Sequence, residues 1–240
     1  MAKITFDVIT LFPNFFDSPL ETSLLKKGIE KNLLNINLHN LRGWGKGRNK
    51  QVDDRPFGGG PGMVLKPDVL TSCLKGILKK GTTKPYVIVL DPAGTKYNQE
   101  KAAALSKKRR LVLVCGHYEG IDERFKKLYA DEEISIGDYI LSGGETAALV
   151  MIETISRQIP GFLGKDESSV SESFSKVDIG DRKVPLLDYP TYTRPESFEN
   201  QKVPEVLLSG NHGKIAKWRK EKAIERTKSK RPDLLAEVTI

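Results

Sequence analysis

Three short glycine-bearing segments are the first candidates for chemistry in this 240-residue chain: DPAG at 91–94, CGHYEG at 115–120 and IGDYILSGGE at 136–145. Each follows or closes a run of apolar, β-branched residues. A single glycine cluster is ordinary turn chemistry. Three behind three strands can close one ligand pocket, because open α/β sheets bind ligands outside the carboxyl ends of their parallel strands and glycine lets the backbone approach a ligand. Such a pocket would not be a phosphate cradle. The chain has no GxxxxGK[ST], and no GxGxxG follows a strand.

Two further segments have nucleic-acid chemistry. GWGKGRNKQVDDRPFGGGPG at 43–62 mixes Arg48, Lys50 and Arg55 with Asp53, Asp54, Trp44 and Phe57. It can stack on a base and hold phosphates, or it is a solvated loop. KIAKWRKEKAIERTKSKR at 214–231 holds nine Lys/Arg against Glu221 and Glu225, a net of +7 in a chain whose total is +8. A charge run is commonly a solvated helix face; concentrating the chain's excess in one segment points toward an RNA backbone. Trp218 within it suits either core packing or base stacking.

Other chemistries find no support. His39, His117 and His212 are scattered and none pairs with a cysteine at zinc-ligand spacing, so no residue is assigned to a metal; His39 reads as structural within a strand. Ser209 in LLSGNHG lacks the GxSxG elbow of a hydrolase. Cys73 and Cys115 form no CxxC pair, which argues against a disulfide framework and for a reducing compartment. The opening MAKITFDVITLF carries no signal-peptide h-region, and no stretch approaches the ~20 apolar residues of a membrane span, so the expectation is a cytoplasmic protein without membrane contact.

The elements that must position these segments follow from hydrophobic periodicity. Strands are expected at 3–11, 33–41, 85–92, 110–116 and 132–141; helices at 20–32, 67–79, 98–107, 121–129 and 145–159. The runs at 85–92 and 110–116 are continuously apolar, as in strands buried on both faces. Alternating strands and helices predict an α/β domain with a mostly parallel sheet over 1–163. The polar, serine-rich stretch that follows makes 164–185 a flexible linker and the start of a second domain, and 186–240 reads as a small, basic, mainly helical domain.

Six motifs in order carry a resemblance: DDRPFGGGPG at 53–62, LVCGHYEGIDER at 113–124, SIGDYILSGGE at 135–145, IPGFLG at 159–164, LDYPTYTRPE at 187–196 and PEVLLSGNH at 204–212. With the closing WRKEKAIERTKSKRPDLL, the chain closely resembles the bacterial tRNA (guanine-N1)-methyltransferases, collinearly over essentially its whole length. The resemblance implies a SPOUT-type α/β domain with a deep trefoil knot, and a homodimer with active sites shared between subunits. It implies methylation of guanosine 37 in the anticodon loop of tRNA when another guanosine precedes it.

It also implies a knotted 1–163 domain that binds S-adenosylmethionine through Leu90 and Pro92, then Gly116, Tyr118 and Glu119, then Ile136, Gly137, Asp138, Tyr139, Ile140, Leu141, Gly143 and Gly144. The family's arginine before its IPG turn matches Arg157, whose alternative role is a cation at a helix C-terminus. The family's general base, an aspartate before a Ser-Phe pair, matches Glu172 before Ser173-Phe174. The added stretch SKVDIGDRKVP at 175–185 leaves Asp178 and Asp181 as alternatives. Asp188 matches a further acidic position near the guanine, or is a turn residue. Any magnesium ion would come with the substrate. The rivals are a related enzyme acting on a ribose hydroxyl or a ribosomal base, and a non-catalytic RNA-binding protein.

Overall fold

Strands covered on both faces need apolar residues at every position, and the structure uses these runs that way. The computed structural model describes residues 3–80, 83–164, 172–179 and 182–236. The chain divides into two compact units, 1–164 and 165–240.

Unit 1 is built on a five-stranded, all-parallel sheet of order β2-β1-β6-β5-β7: β1 (Ile4–Thr10), β2 (Leu34–Asn40), β5 (Tyr86–Lys96), β6 (Arg110–Cys115) and β7 (Glu132–Ser135). Two short strands, β3 (Asp53–Asp54) and β4 (Val64–Leu65), pair antiparallel outside it. The helices are α1 (Asp17–Leu20), α2 (Ser23–Glu30), α3 (Pro67–Lys79), α4 (Gln99–Leu105), α5 (Glu123–Tyr129) and α6 (Glu145–Ser156).

Alternation along the strands sorts side chains into two cores. Phe6, Val8, Ile88, Leu90, Leu111 and Leu113 pack with Leu25, Leu105, Met151, Ile152 and Ile155 on one face. Ile9, Val87, Val89, Val112 and Val114 pack with Leu70, Cys73, Leu74 and Phe125 on the other. The helix α3 starts with Pro67, which suits a first turn whose N–H groups have no helical partner, and buries Val69, Leu70, Cys73, Leu74 and Ile77 at helical spacing.

A buried polar cluster centres on Asp7. Asp7 of β1 accepts from Arg110 Nε at 2.8 Å and Asn37 Nδ2 at 3.1 Å, and lies 2.7 Å from His39 Nε2. Arg110 also donates to the Ile77 carbonyl at 3.1 Å, tying the end of α3 to the sheet. Burial pushes the Asp7 carboxyl up, but the hydrogen bonds from His39, Arg110 and Asn37 outweigh it and hold it below its ordinary value of 3.8. A carboxyl lowered on folding stabilises the fold above its unfolded pKa. That contribution is therefore complete above the usual carboxylate range and fades as pH falls below 3.8. Asp7→Asn leaves Arg110 buried without its counter-charge and should cost about 3–5 kcal/mol in chemical denaturation; a loss under about 1 kcal/mol would show the cluster to be dispensable.

Two expected strand ends differ. The run at 85–92 does not stop: β5 continues to Lys96, with Leu90 and Thr95 both opposite Ile134, so Asp91–Gly94 bulges out of the strand. Asp91 Oδ1 caps the excursion by accepting from Ala93 N at 2.9 Å. A Cβ on Gly94 would sit 2.4 Å from the Glu133 carbonyl carbon, which only glycine avoids. Conversely, the expected strand at 132–141 ends at Ser135, whose hydroxyl donates to the Gly137 carbonyl at 3.1 Å as the chain leaves the sheet.

In unit 2, β8 (Ser175–Ile179) and β9 (Arg182–Leu186) pair antiparallel where a linker was expected. Their alternating Val177, Val184 and Leu186 pack on Ala223 and Ile224 of α8 (His212–Lys230), which explains the pairing. A second small ribbon, β10 (Ser197–Phe198) with β11 (Gln201–Lys202), precedes α7 (Glu205–Leu208); α9 (Asp233–Ala236) follows α8. Asn211 caps α8 by accepting from Lys214 N at 3.0 Å. Among the described residues, no helix is long and apolar enough to cross a membrane.

Candidate active site

The adjacent strands β6, β5 and β7 deliver the three glycine-bearing segments to one edge of the sheet, where they enclose a cavity of ≈ 430 Å³. It is lined by Leu90 and Pro92 from the bulge in β5, by Gly116, Tyr118 and Glu119 after β6, and by Ile136, Gly137, Tyr139, Ile140, Leu141, Gly143 and Gly144 after β7. Asp138 is not part of the lining; it is exposed and pairs with Lys96 at 3.1 Å. Asp91, His117, Ile134, Ser135 and Ala147 also line the cavity, and residue periodicity did not single them out. His117 and Asp91 lie inside the flagged segments, so only their orientation was hidden.

The loops hold one another. Gly144 N donates to the Gly116 carbonyl at 2.9 Å, and His117 bridges to Gly143. Tyr118 takes a left-handed conformation, φ 61°, with its N–H donating to His117 Nδ1 at 2.9 Å. The end of the GGGPG segment docks here too: Glu119 N donates to the Met63 carbonyl at 2.9 Å. Trp44, expected to be available for base stacking, instead packs against the core beside α3; Phe57 is 98% exposed.

Beneath the bulge, Lys126 of α5 donates to Asp91 at 3.2 Å and Glu133 at 3.1 Å and pairs with Glu123 at 2.9 Å. Burial pulls its pKa down, but hydrogen bonds to these carboxylates outweigh that and hold the ammonium firmly charged. Among the described residues, no lysine or arginine lines the cavity. Its charged lining groups are the carboxylates Asp91 and Glu119, set among Leu90, Ile134, Ile136, Ile140 and Leu141. That combination suits a flat apolar ring carrying a neutral or cationic tail and disfavours a polyphosphate.

Arg157 caps the C-terminal end of α6, whereas the cavity takes Gly144 and Ala147 from its N-terminal end. At the helical rise, Arg157 and Gly144 are roughly 20 Å apart, farther than an arginine side chain spans. In unit 2, the backbone of Asp188 is tied to Ser173, the residue after Glu172. Asp188 N donates to the hydroxyl of Ser173 at 3.0 Å, and Phe174 N donates to the Leu186 carbonyl at 2.7 Å. Asp178 is exposed, farther along the hairpin opposite Lys183. Asp181 lies outside the described residues.

Residues 4–237 match the family model described as tRNA (Guanine-1)-methyltransferase TrmD. The chain belongs to the tRNA (guanine-N1)-methyltransferase family. Its relatives include proteins named tRNA (guanine-N(1)-)-methyltransferase from Dehalococcoides mccartyi, 46% identical over 98% of this chain and 91% of that protein, and from Geotalea uraniireducens, 47% identical over 97% and 90%. One from Caldanaerobacter subterraneus subsp. tengcongensis is 49% identical over 98% and 93%. This is an enzyme family of SPOUT class, and the all-parallel sheet with its loop-built cavity is this methyltransferase's version of the α/β fold.

Proposed function

We propose that this methyltransferase carries a methyl group from S-adenosylmethionine to N1 of guanosine 37 in tRNA, where a guanosine precedes it. The observation that carries the reading is the cavity at the ends of β6, β5 and β7, apolar, glycine-walled and, among the described residues, without lining cations. Its ≈ 430 Å³ falls in the range of small-molecule sites. Leu90, Ile136 and Leu141 would face the adenine, and the carboxylates Asp91 and Glu119 complement the donor's positive charge. When bound, the donor supplies a methyl on a sulfonium, already a good leaving group, so the protein needs no nucleophile of its own.

The protein's task is then the proton and the charge. As the N1–methyl bond forms and the sulfur–methyl bond breaks, the N1 proton must leave. Glu172 accepts it. Arg157 donates to guanine O6 and stabilises the negative charge that grows there. Asp188, beside Glu172 through Ser173, orients the base or the guanine. The separation of Arg157 from the cavity of its own chain supports a homodimer in which each active site draws residues from both copies. The reading includes the family's knot through the three loops, a magnesium ion that arrives with the RNA, and a cytoplasmic site of action. The basic α8 contributes phosphate contacts in the anticodon region.

Close packing makes Gly144 a test of the donor site. A Cβ there would lie 2.7 Å from Cys115 Cα and 3.0 Å from Gly116 N, both backbone. Overpacking of this kind costs roughly 1–3 kcal/mol. Gly144→Ala should therefore weaken S-adenosylmethionine binding about tenfold or more by calorimetry, and unchanged affinity would exclude the start of α6 from the site. The whole reading is tested by incubating the protein with methyl-labelled donor and two tRNAs that differ only in guanosine or adenosine at position 37. Label should enter the guanosine tRNA alone. Equal labelling of both would contradict the assigned target, and tRNA binding without any labelling would favour a non-catalytic RNA-binding protein.

A further inference from the structure

The bulge in β5 gives the cavity of unit 1 its Asp91, Pro92 and Ala93 but has little core behind it. Pro92, Ala93 and Thr95 are exposed, and on the far side Ala93, Gly94 and Thr95 line an open groove with Glu123, Lys126 and Glu133. A stretch with so few buried apolar contacts opens locally unless polar ties hold it. Thr95 ties the end of the bulge to β7, its hydroxyl lying 3.2 Å from the Glu133 carbonyl oxygen and 3.1 Å from Glu132 Oε1. Asp91 ties the start.

Both Asp91 oxygens are engaged. Oδ1 accepts from Ala93 N at 2.9 Å and Oδ2 from Lys126 Nζ at 3.2 Å. The same ammonium donates to Glu133 Oε2 at 3.1 Å and lies 2.9 Å from Glu123 Oε2. The Lys126 side chain is 12% exposed, so solvent ions screen these contacts little. Glu133 stands next to Ile134 and Ser135, which line the same cavity from β7. One cation from α5 thus clips the β5 wall of the cavity to the β7 wall. A local stabiliser would need only Glu123, three residues earlier on α5, and such a helix pair contributes little. Adding Asp91 and Glu133 brings three carboxylates together, whose mutual repulsion a simple ion pair avoids. What the extra pair supplies in return is a fixed bulge.

Resting on the donor reading above, we propose that Lys126 is a positioning residue for S-adenosylmethionine: through Asp91 and Glu133 it holds the β5 bulge in the shape that receives the donor. Lys126 lies outside the cavity lining and acts through Asp91, which belongs to it. Its effect therefore falls on donor affinity and leaves the methyl-transfer step alone.

The test uses the full chain as wild type, Lys126→Met, Lys126→Arg, Asp91→Ala and the double variant of Lys126→Met with Asp91→Ala. Donor dissociation constants are measured by calorimetry, and donor KM and turnover with tRNA as substrate. Lys126→Met should weaken donor binding about tenfold and raise the donor KM in step, with turnover at saturating donor within about twofold of the wild type. Lys126→Arg keeps a cation within reach of the carboxylates and should recover most of the affinity. In the Asp91→Ala background, Lys126→Met should add less than about twofold, because the clip has already lost one end; a merely structural lysine would cost the same in both backgrounds. Lys126→Gln takes its place in the same cycle if Lys126→Met fails to fold. The proposal is overturned by a Lys126→Met affinity within about twofold of the wild type, by an undiminished loss in the Asp91→Ala background, or by a fall in turnover at unchanged donor affinity. A wild-type chain that binds no S-adenosylmethionine would overturn it together with the donor reading, and is thus a separate result.

Discussion

Arg157→Ala should lower the turnover number by roughly a hundredfold or more, with little change in donor affinity. Removing one preorganised donor from a developing oxyanion characteristically costs this much. In the proposed reaction negative charge develops on guanine O6 as N1 loses its proton, and a guanidinium in hydrogen-bond reach would stabilise it. The competing role for Arg157 is purely structural: it caps the end of α6, where a cation interacts favourably with the helix carbonyls. That role is worth only about 0.3–1 kcal/mol of stability and nothing in turnover. Turnover and thermal unfolding measured on the same variant separate the two. A normal turnover number with a slightly lower melting temperature would remove Arg157 from the mechanism.

Glu172→Gln should reduce turnover by a factor of roughly 10²–10⁴, the usual worth of a positioned general base. Glutamine keeps the shape and a hydrogen-bond acceptor but cannot hold the N1 proton. The control is Asp178→Asn. Asp178 sits within β8 opposite Lys183, whereas Glu172 lies at the open end of the hairpin, next to Ser173, whose hydroxyl accepts from Asp188 N. The Asp178 variant should therefore retain most activity while tRNA affinity stays constant in both. The reverse pattern, a silent Glu172→Gln and a crippled Asp178→Asn, would move the base one strand residue set along the hairpin.

Where local pattern and tertiary demand coincide, the chain is readable. The helix over 67–79 has both a proline start and a 3.6-residue apolar period, and α3 spans Pro67–Lys79. The continuous apolar runs became β5 and β6, covered on both faces. Pattern fails where one residue's surroundings decide. The bulge at Asp91–Gly94 depends on Gly94 meeting the backbone of β7, a contact 39 residues away that no window of sequence contains. Isoleucine and tyrosine in IGDYIL look like strand residues, but the Ser135 hydroxyl turns them into cavity lining. Trp44 reads as a stacking surface or as part of a solvated loop, and neither reading shows that it packs beside Gly76 of α3 against the core.

The candidate site divides in the same way. The three loops were visible as glycine clusters behind strands, and their meeting followed from the parallel order of β6, β5 and β7. The link of Asp188 to Ser173, next to Glu172, was not visible. It rests on the Ser173 hydroxyl and the β8–β9 hairpin, whose short Val177/Val184 alternation is masked by lysines and arginines. Arg157 could be assigned only from its place before the IPG turn, since burial and charge alone describe an ordinary helix end.

The most direct test of the central claim is the identity of the methylated nucleoside. The tRNA with guanosines at positions 36 and 37 is reacted with the protein and S-adenosylmethionine, digested to nucleosides, and analysed by mass spectrometry against authentic standards. The account predicts N1-methylguanosine, lost in Arg157→Ala and Glu172→Gln. Methyl found on the ribose 2′-hydroxyl, or on any base other than guanine 37, would contradict it.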